Sequence, residues 1–174
     1  MKKILLLIVV FMNCSILFAA PALKVKSGNW SNIKSENLLT YVEFDYSNAK
    51  WENGKTYEAF CGDTYASRVA ASISDFVDTY NTISSGMKMS TSSDEARYKF
   101  VFRIKNLERK QGMSMWGRFY IRIYGNIEIY DLSNESLICE IAVNGHSGGD
   151  DFVPEDRLSK CFRNLAEQLF KLKK

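Results

Sequence analysis

The sequence predicts an α+β fold, a two-layer sandwich whose mainly antiparallel sheet, in the order β-α-β-β-β-α, carries two helices on one face. Three observations predict it. Apolar residues alternate with polar ones from Leu38 to Tyr46 and, in three successive runs, from Ala96 to Val143. Two other segments repeat their apolar residues at the three–four spacing of a helix face. Glycine- or serine-rich stretches separate these runs, and the two helices, one after the first strand and one after three more, can cover the same sheet face.

Each element follows from its own pattern. Leu23 to Lys26 alternates apolar and basic residues and ends at Ser27-Gly28, which suits a short first strand. Asn29 to Glu36 reads as a polar loop. Leu38, Thr40, Val42, Phe44 and Tyr46 share one parity, with Glu43 and Asp45 on the other. Residues 47–62 form a connection whose Trp51, Tyr57 and Phe60 fold over the edge of the core. Ala66, Val69, Ala70, Ile73, Phe76, Val77, Tyr80 and Ile83 then mark the buried face of a helix, started by Asp63 or Thr64 and stopped by Gly86. Met87 to Glu95 is a Ser/Thr-rich linker.

The second half is a meander. Tyr98, Phe100, Phe102 and Ile104 face inward, opposite Arg97, Lys99, Arg103 and Lys105. After a loop over 107–117, Phe119, Ile121, Ile123, Ile127 and Ile129 point in, with Gly125 on the same parity, where it leaves room for a helix or marks a bend. Leu137, Cys139, Ile141 and Val143 complete a three-stranded antiparallel unit with one apolar face. A glycine-rich crossing over 144–151 leads to Pro154, a good first-turn residue, and to the stripe Leu158, Cys161, Phe162, Leu165 and Leu169.

Residues 1–22 read as a secretory signal peptide and 23–174 as a single domain. Lys2 and Lys3 supply the positive start, Ile4 to Met12 the apolar run, and Ala19, Ala20 and Ala22 the small residues of a cleavage region. The run is shorter than the ~20 residues a membrane span needs, and no later segment is long and apolar enough to span. This assigns the chain to the periplasm or the medium. Losing Lys2 and Lys3 brings the formal charge of +3 close to neutral, so bulk charge gives no argument for nucleic acid.

Cys61, Cys139 and Cys161 remain after cleavage, in a compartment that permits disulfides. If both helices start at one end of the sheet, Cys61 and Cys161 are the pair nearest in level, and Cys139 is a buried thiol. His146 is the only histidine and no two cysteines are closely spaced, so neither a metal nor another cofactor is expected.

The order of strand, helix, meander with the turn Asp131-Leu-Ser-Asn-Glu-Ser-Leu-Ile, glycine-rich crossing and final helix resembles small bacterial envelope modules. The amino-terminal domain of the TolB protein and the curli-secretion type of lipoprotein are the nearest. The resemblance spans roughly residues 37–172 and implies docking to partners without catalytic residues.

Two surfaces stand out. The outward face of the meander carries Arg118, Tyr120, Arg122 and Tyr124 beside Arg97, Lys99 and Arg103, a set suited to an anionic glycan, lipid headgroup or peptide. At the hairpin tip, Met113, Met115 and Trp116 make a candidate partner contact. His146, Ser147, Asp150 and Asp151 lie in a glycine-rich stretch, where sequence neighbours lack the rigid orientation nucleophilic catalysis needs. The reading is a non-enzymatic envelope module that binds a partner protein or anionic ligand; the alternative is a hydrolase whose cleft the sequence does not reveal. The exported protein should begin at Leu23 or Ala20, and intact-mass measurement of material recovered from the envelope or medium checks this. A mass that retains residues 1–19 would overturn the assignment.

Overall fold

The computed structural model describes residues 22–51, 54–111, 119–148 and 154–173. The expected signal segment, apart from Ala22, lies outside them. The described strands are β1 (Leu23–Gly28), β2 (Leu39–Asp45), β3 (Lys88–Ser90), β4 (Tyr98–Gln111), β5 (Phe119–Asp131) and β6 (Ser136–Gly148). The helices are α1 (Trp30–Ser35), α2 (Tyr57–Cys61), α3 (Tyr65–Ile83) and α4 (Pro154–Lys171). The strands form one mixed sheet in the order β1-β6-β5-β4-β2-β3, and the whole is the α+β sandwich the periodicities predict.

The meander β4-β5-β6 is antiparallel as expected, but β2 runs parallel to both β4 and β3. A helix between β2 and β3 is what a parallel pairing requires. β3 replaces part of the expected linker. Three residues are too few to show a period, and its centre is held by a side chain. Asn81 of α3 donates to the Met89 carbonyl and accepts from the Met89 amide, both at 2.8 Å, as a neighbouring strand would. β1 pairs antiparallel with β6 at the other edge, with Leu23 opposite Val143. The Asn144 amide donates to the Ala22 carbonyl at 2.8 Å, which carries this pairing one residue beyond β1.

α1 is a second departure, formed where the sequence reads as a loop. Asn29 caps it by accepting from the Asn32 amide at 3.1 Å, and Trp30 is wholly buried. The Trp30 indole donates to the Leu169 carbonyl at 2.9 Å. The Lys34 ammonium donates to the carbonyls of Phe170 and Leu172 at 2.6 and 2.8 Å. These carbonyls belong to the end of α4, where a helix leaves acceptors unmet and favours a cation. A short polar segment thus closes the C-terminal end of the last helix.

Both long helices cover the same sheet face. The α4 stripe of Leu158, Cys161, Phe162, Leu165 and Leu169 is buried as predicted. In α3, Phe76, Val77 and Tyr80 are buried while Ala66 and Ala70 are exposed. Ser72, which lies off the apolar stripe, is 3% exposed and donates to the Arg68 carbonyl at 2.8 Å. The buried face is therefore rotated from the one the apolar spacing marks, because alanine contributes too little area to set it.

Between sheet and helices the core is a phenylalanine cluster. The Phe44 ring centroid lies 5.0, 5.4 and 5.5 Å from those of Phe162, Phe76 and Phe102. These rings come from α4, α3 and β4, and such geometry adds to simple burial. Cys139 is buried, and burial pushes its thiol up to about 11. Cys61 and Cys161, expected as a bridged pair, are both thiols here, and Cys161 lies against the Ile121 carbonyl at 3.5 Å. Tyr57 lies beside Cys61 and Tyr46 beside Cys161, and those two rings stack with centroids 5.2 Å apart. Aromatic packing thus stands between the elements that carry the two sulfurs.

Phe44→Ala should lower unfolding free energy by about 3–5 kcal/mol. Urea denaturation checks this, and a loss below ~1 kcal/mol would show that the cluster does not hold the layers together.

Candidate functional site

The face of the sheet away from the helices is open. It presents Tyr41, Glu43 and Asp45 from β2, Lys99, Val101 and Arg103 from β4, Tyr124 to Tyr130 on alternate positions of β5, and Glu140 and Ala142 from β6. The structure places Arg97, Lys99, Arg103, Arg122 and Tyr124 on or beside it, as the sequence predicts. Tyr120 belongs to β5, but its side chain is not described, and Arg118, Met113, Met115 and Trp116 lie outside the described residues.

The expected anion-binding cations are matched by acids of the same face. Arg103 bridges two strands, with Nε donating to Glu128 at 2.7 Å and Nη1 to Asp45 at 2.8 Å. Arg97 donates to Asp131 at 2.7 Å, and Lys99 meets Glu43 at 2.8 Å. Tyr130 also donates to Glu128, at 2.7 Å. Glu108 stands opposite Arg122 in the ladder and accepts from Asn106 at 2.9 Å and from Tyr124 at 3.4 Å. Cross-strand charge pairing of this kind organises a solvated sheet face. It also leaves little net positive potential over these residues.

Asp45 and Asp131 repeat one device. Each ends a strand, and one carboxylate oxygen accepts from the amide and hydroxyl of the serine two residues on, at 2.6 to 2.9 Å. The other oxygen takes an arginine of β4 or of the residue just before it. The Ser47 and Ser133 bonds, with the arginines behind them, hold both carboxyls below the usual carboxylate range.

Basic groups gather instead at the other end of the open face. A groove of about 550 Å³ crosses β1, β6, β5 and β4 there, lined by Lys24, Lys26, Lys105, Tyr124, Asn126 and Asn144. Among the described residues no acid lines it, although Glu140 holds Lys26 from the side at 2.9 Å. Register shifts shape this groove. Lys105 is an extra residue in β4 between the partners of Gly125 and Tyr124. Gly145 is an extra residue in β6 between the partners of Tyr124 and Ile123. Lys26 is the extra residue of β1. Bulges on both sides of Tyr124 and Gly125 bend the sheet at one level, which hollows its open face.

Gly125 permits that bend. A Cβ there would lie 2.2 Å from the Arg103 carbonyl oxygen and 2.9 Å from the Phe102 ring, so the glycine serves strand-to-strand contact and not helix approach. Lys105 was legible as an outward residue, whereas Lys24 and Lys26 were not visible as its neighbours. A second hollow, of about 370 Å³, lies over Val101 and Leu132 and is edged by Lys99, Arg103, Tyr130 and Glu135.

β6 also takes in His146 and Ser147, expected in a loop, which pair with Ile123 and Arg122 of β5. Positions 150 and 151 lie outside the described residues. Among the described residues no group of three or more His, Cys, Asp or Glu side chains is placed to hold a metal ion. No helix among them is long and apolar enough to cross a membrane.

No protein-family model matches the chain, and no curated protein does. Among solved structures, the chain is similar to the PelC dodecamer from Paraburkholderia phytofirmans, with a TM-score of 0.48 and 14% identity over 87% of this chain and 98% of that one. A variant of that dodecamer gives a TM-score of 0.43 and 12% identity over 84% and 95% of the two chains.

Asp45 supplies a test of the paired face. A carboxyl held low in the folded state adds stability that is full above the unfolded value, about 3.9, and is lost as pH falls through the folded one. Asp45→Asn should cost at most ~1 kcal/mol at neutral pH, since the pair is open to solvent and screened. The Tm gap between wild type and variant should close as the pH is lowered below the unfolded value of about 3.9. A gap that stays constant across that range would show that the pairing does not depend on the charge of Asp45.

Proposed function

We propose that this is a non-enzymatic exported module of the bacterial envelope that binds an anionic ligand, or an acidic surface of a partner protein, on the open face of its sheet. The observation that carries the reading is the groove of Lys24, Lys26 and Lys105, a concave basic site with no acid among its described lining residues. Three ammonium groups around one hollow favour anions through summed potential, without the fixed fork geometry that arginine imposes. Tyr124, Asn126 and Asn144 add neutral hydrogen-bonding groups suited to orienting a polar ligand.

The groove refines the sequence-based expectation. Arg97, Lys99 and Arg103 order the face through their acids, and contact with an anion falls to the lysines beyond them. The resemblance to the TolB amino-terminal domain and to curli-secretion lipoproteins implies the same mode of action, assembly by docking. The alternative, a hydrolase, needs acids converging in a cleft. The carboxylates of this face at Asp45, Glu128, Asp131 and Glu140 are instead engaged by cations.

Lys24→Glu with Lys105→Glu should elute from a sulfated polyanion matrix at clearly lower salt than wild type, with Tm changed by no more than ~2 °C. Both lysines are exposed, so folding should survive. Elution of the double variant together with wild type would overturn the assignment of the groove.

A further inference from the structure

The cations of the lysine groove are not equally free. Lys26 donates to Glu140 at 2.9 Å and to the Asn126 side chain at 3.3 Å, so its charge is engaged within the protein. Lys24 and Lys105 are exposed and make no ion pair among the described residues. They stand at opposite ends of the groove. β6 and β5 lie between β1 and β4, which makes three inter-strand steps of ~4.8 Å, or about 14 Å. Two free ammonium groups rooted this far apart are best met by an anion whose charges are likewise spread, because drawing both onto one small group sets them against each other.

Between these ends the groove is low and neutral. Its floor includes the Gly125 backbone and the Ala142 methyl, and its volume of about 550 Å³ falls within the ~300–1,000 Å³ of small-ligand clefts. Tyr124 is half-buried, its ring seated over Gly145, where a Cβ would lie 3.1 to 3.2 Å from its atoms. The Asn144 side chain is exposed and makes no hydrogen bond among the described residues. An amide both donates and accepts, as a sugar hydroxyl does. The interior strands narrow the choice further. β5 and β6 are paired on both sides, so a peptide crossing them finds no ladder to extend. A membrane presents its headgroups on a plane, which does not enter a concave site.

We infer that the groove takes a stretch of acidic polysaccharide lying across the strands, an assignment that rests on the groove being the anion site. Its carboxylates meet Lys24 at one end and Lys105 at the other. A sugar ring between them sets its C–H face towards Tyr124 and its hydroxyls towards Asn144. Such a chain repeats an anionic group, a hydroxyl rim and an apolar face along its length, and the groove offers a partner for each. Neither lysine needs to leave another contact to take its carboxylate.

Isothermal titration calorimetry at low salt, with galacturonate and its oligomers up to the hexamer, tests this. Affinity should rise about tenfold between the monomer and the oligomer that first reaches both lysines, and change little beyond it. Lys24→Gln and Lys105→Gln should each remove that rise, since either leaves the chain one end. Asn144→Ala should weaken the long oligomers about threefold. All three positions are exposed, so folding should survive. Hexaglutamate binding as tightly as hexagalacturonate would overturn the saccharide assignment. Inositol hexakisphosphate binding as tightly, or a length dependence that survives Lys24→Gln, would overturn the two-ended arrangement. If no oligomer binds while Lys24→Glu with Lys105→Glu still elutes early from the polyanion matrix, the polysaccharide falls and the groove stands. If that double variant elutes with wild type, both fall.

Discussion

The packing of Phe44 against rings from β4, α3 and α4 is the constraint on which the other features depend. Phe44 lies on β2, a strand that joins the meander in parallel and from outside its hairpin order. Local turn chemistry does not dictate that position; burial does. Parity then requires Glu43 and Asp45 to face away from the helices, beside Lys99 and Arg103 of β4. The cross-strand charge pairs of the open face are thus a consequence of which ring enters the core.

Those pairs divide the open face into two regimes. Where β2, β4 and β5 lie together, Arg97, Lys99 and Arg103 each meet an acid within 3 Å, and Arg103 meets two. Such solvent-exposed pairs contribute little stability. Their larger effect is on potential, which they cancel locally. Towards β1 the supply of acids runs out, leaving Glu140 beside Lys26, while Lys24 and Lys105 edge the groove with no acid among its described lining residues. The described open face therefore keeps a basic concavity, fixed by strand order.

The sequence made the layers legible and left the junctions hidden. Period-two runs located β2 and the meander, and three–four spacing located α3 and α4, since long amphipathic elements repeat their signal. α1 and β3 are too short to repeat it, and both are held by contacts distant in sequence, at Leu169 and at Asn81. Bulges were also invisible. Ile138 is an extra residue in β6, and it turns Leu137, expected inward, to 48% exposure. The groove was missed for the same reason. Its lysines lie some eighty residues apart and meet only because β1 pairs with β6 and the β4 and β6 register shifts fall at one level. The aromatic residues of the connection were noted, but their union with Arg68 and Arg109 depends on how 47–56 crosses β4.

That crossing ties the open face to the layer beneath the helices. The Lys50 amide donates to the Lys105 carbonyl at 3.1 Å, and the Leu107 amide donates to the Lys50 carbonyl at 2.8 Å. Lys50 therefore clasps the β4 bulge from both sides, and the next residue in the chain is Trp51. One backbone junction consequently sets the outward projection of Lys105 on the open face and the seat of Trp51 under the helices. Beyond the bulge the parity of β4 resets, so that Leu107 is buried and Arg109, on the same parity, lines a small cavity with Trp51 and Tyr57. Had β4 run on through Lys105 without the bulge, Arg109 would fall on the open face with the other cations. The bulge thus assigns the basic side chains of one strand to two different surfaces, Lys105 to the groove and Arg109 to the aromatic residues of the connection.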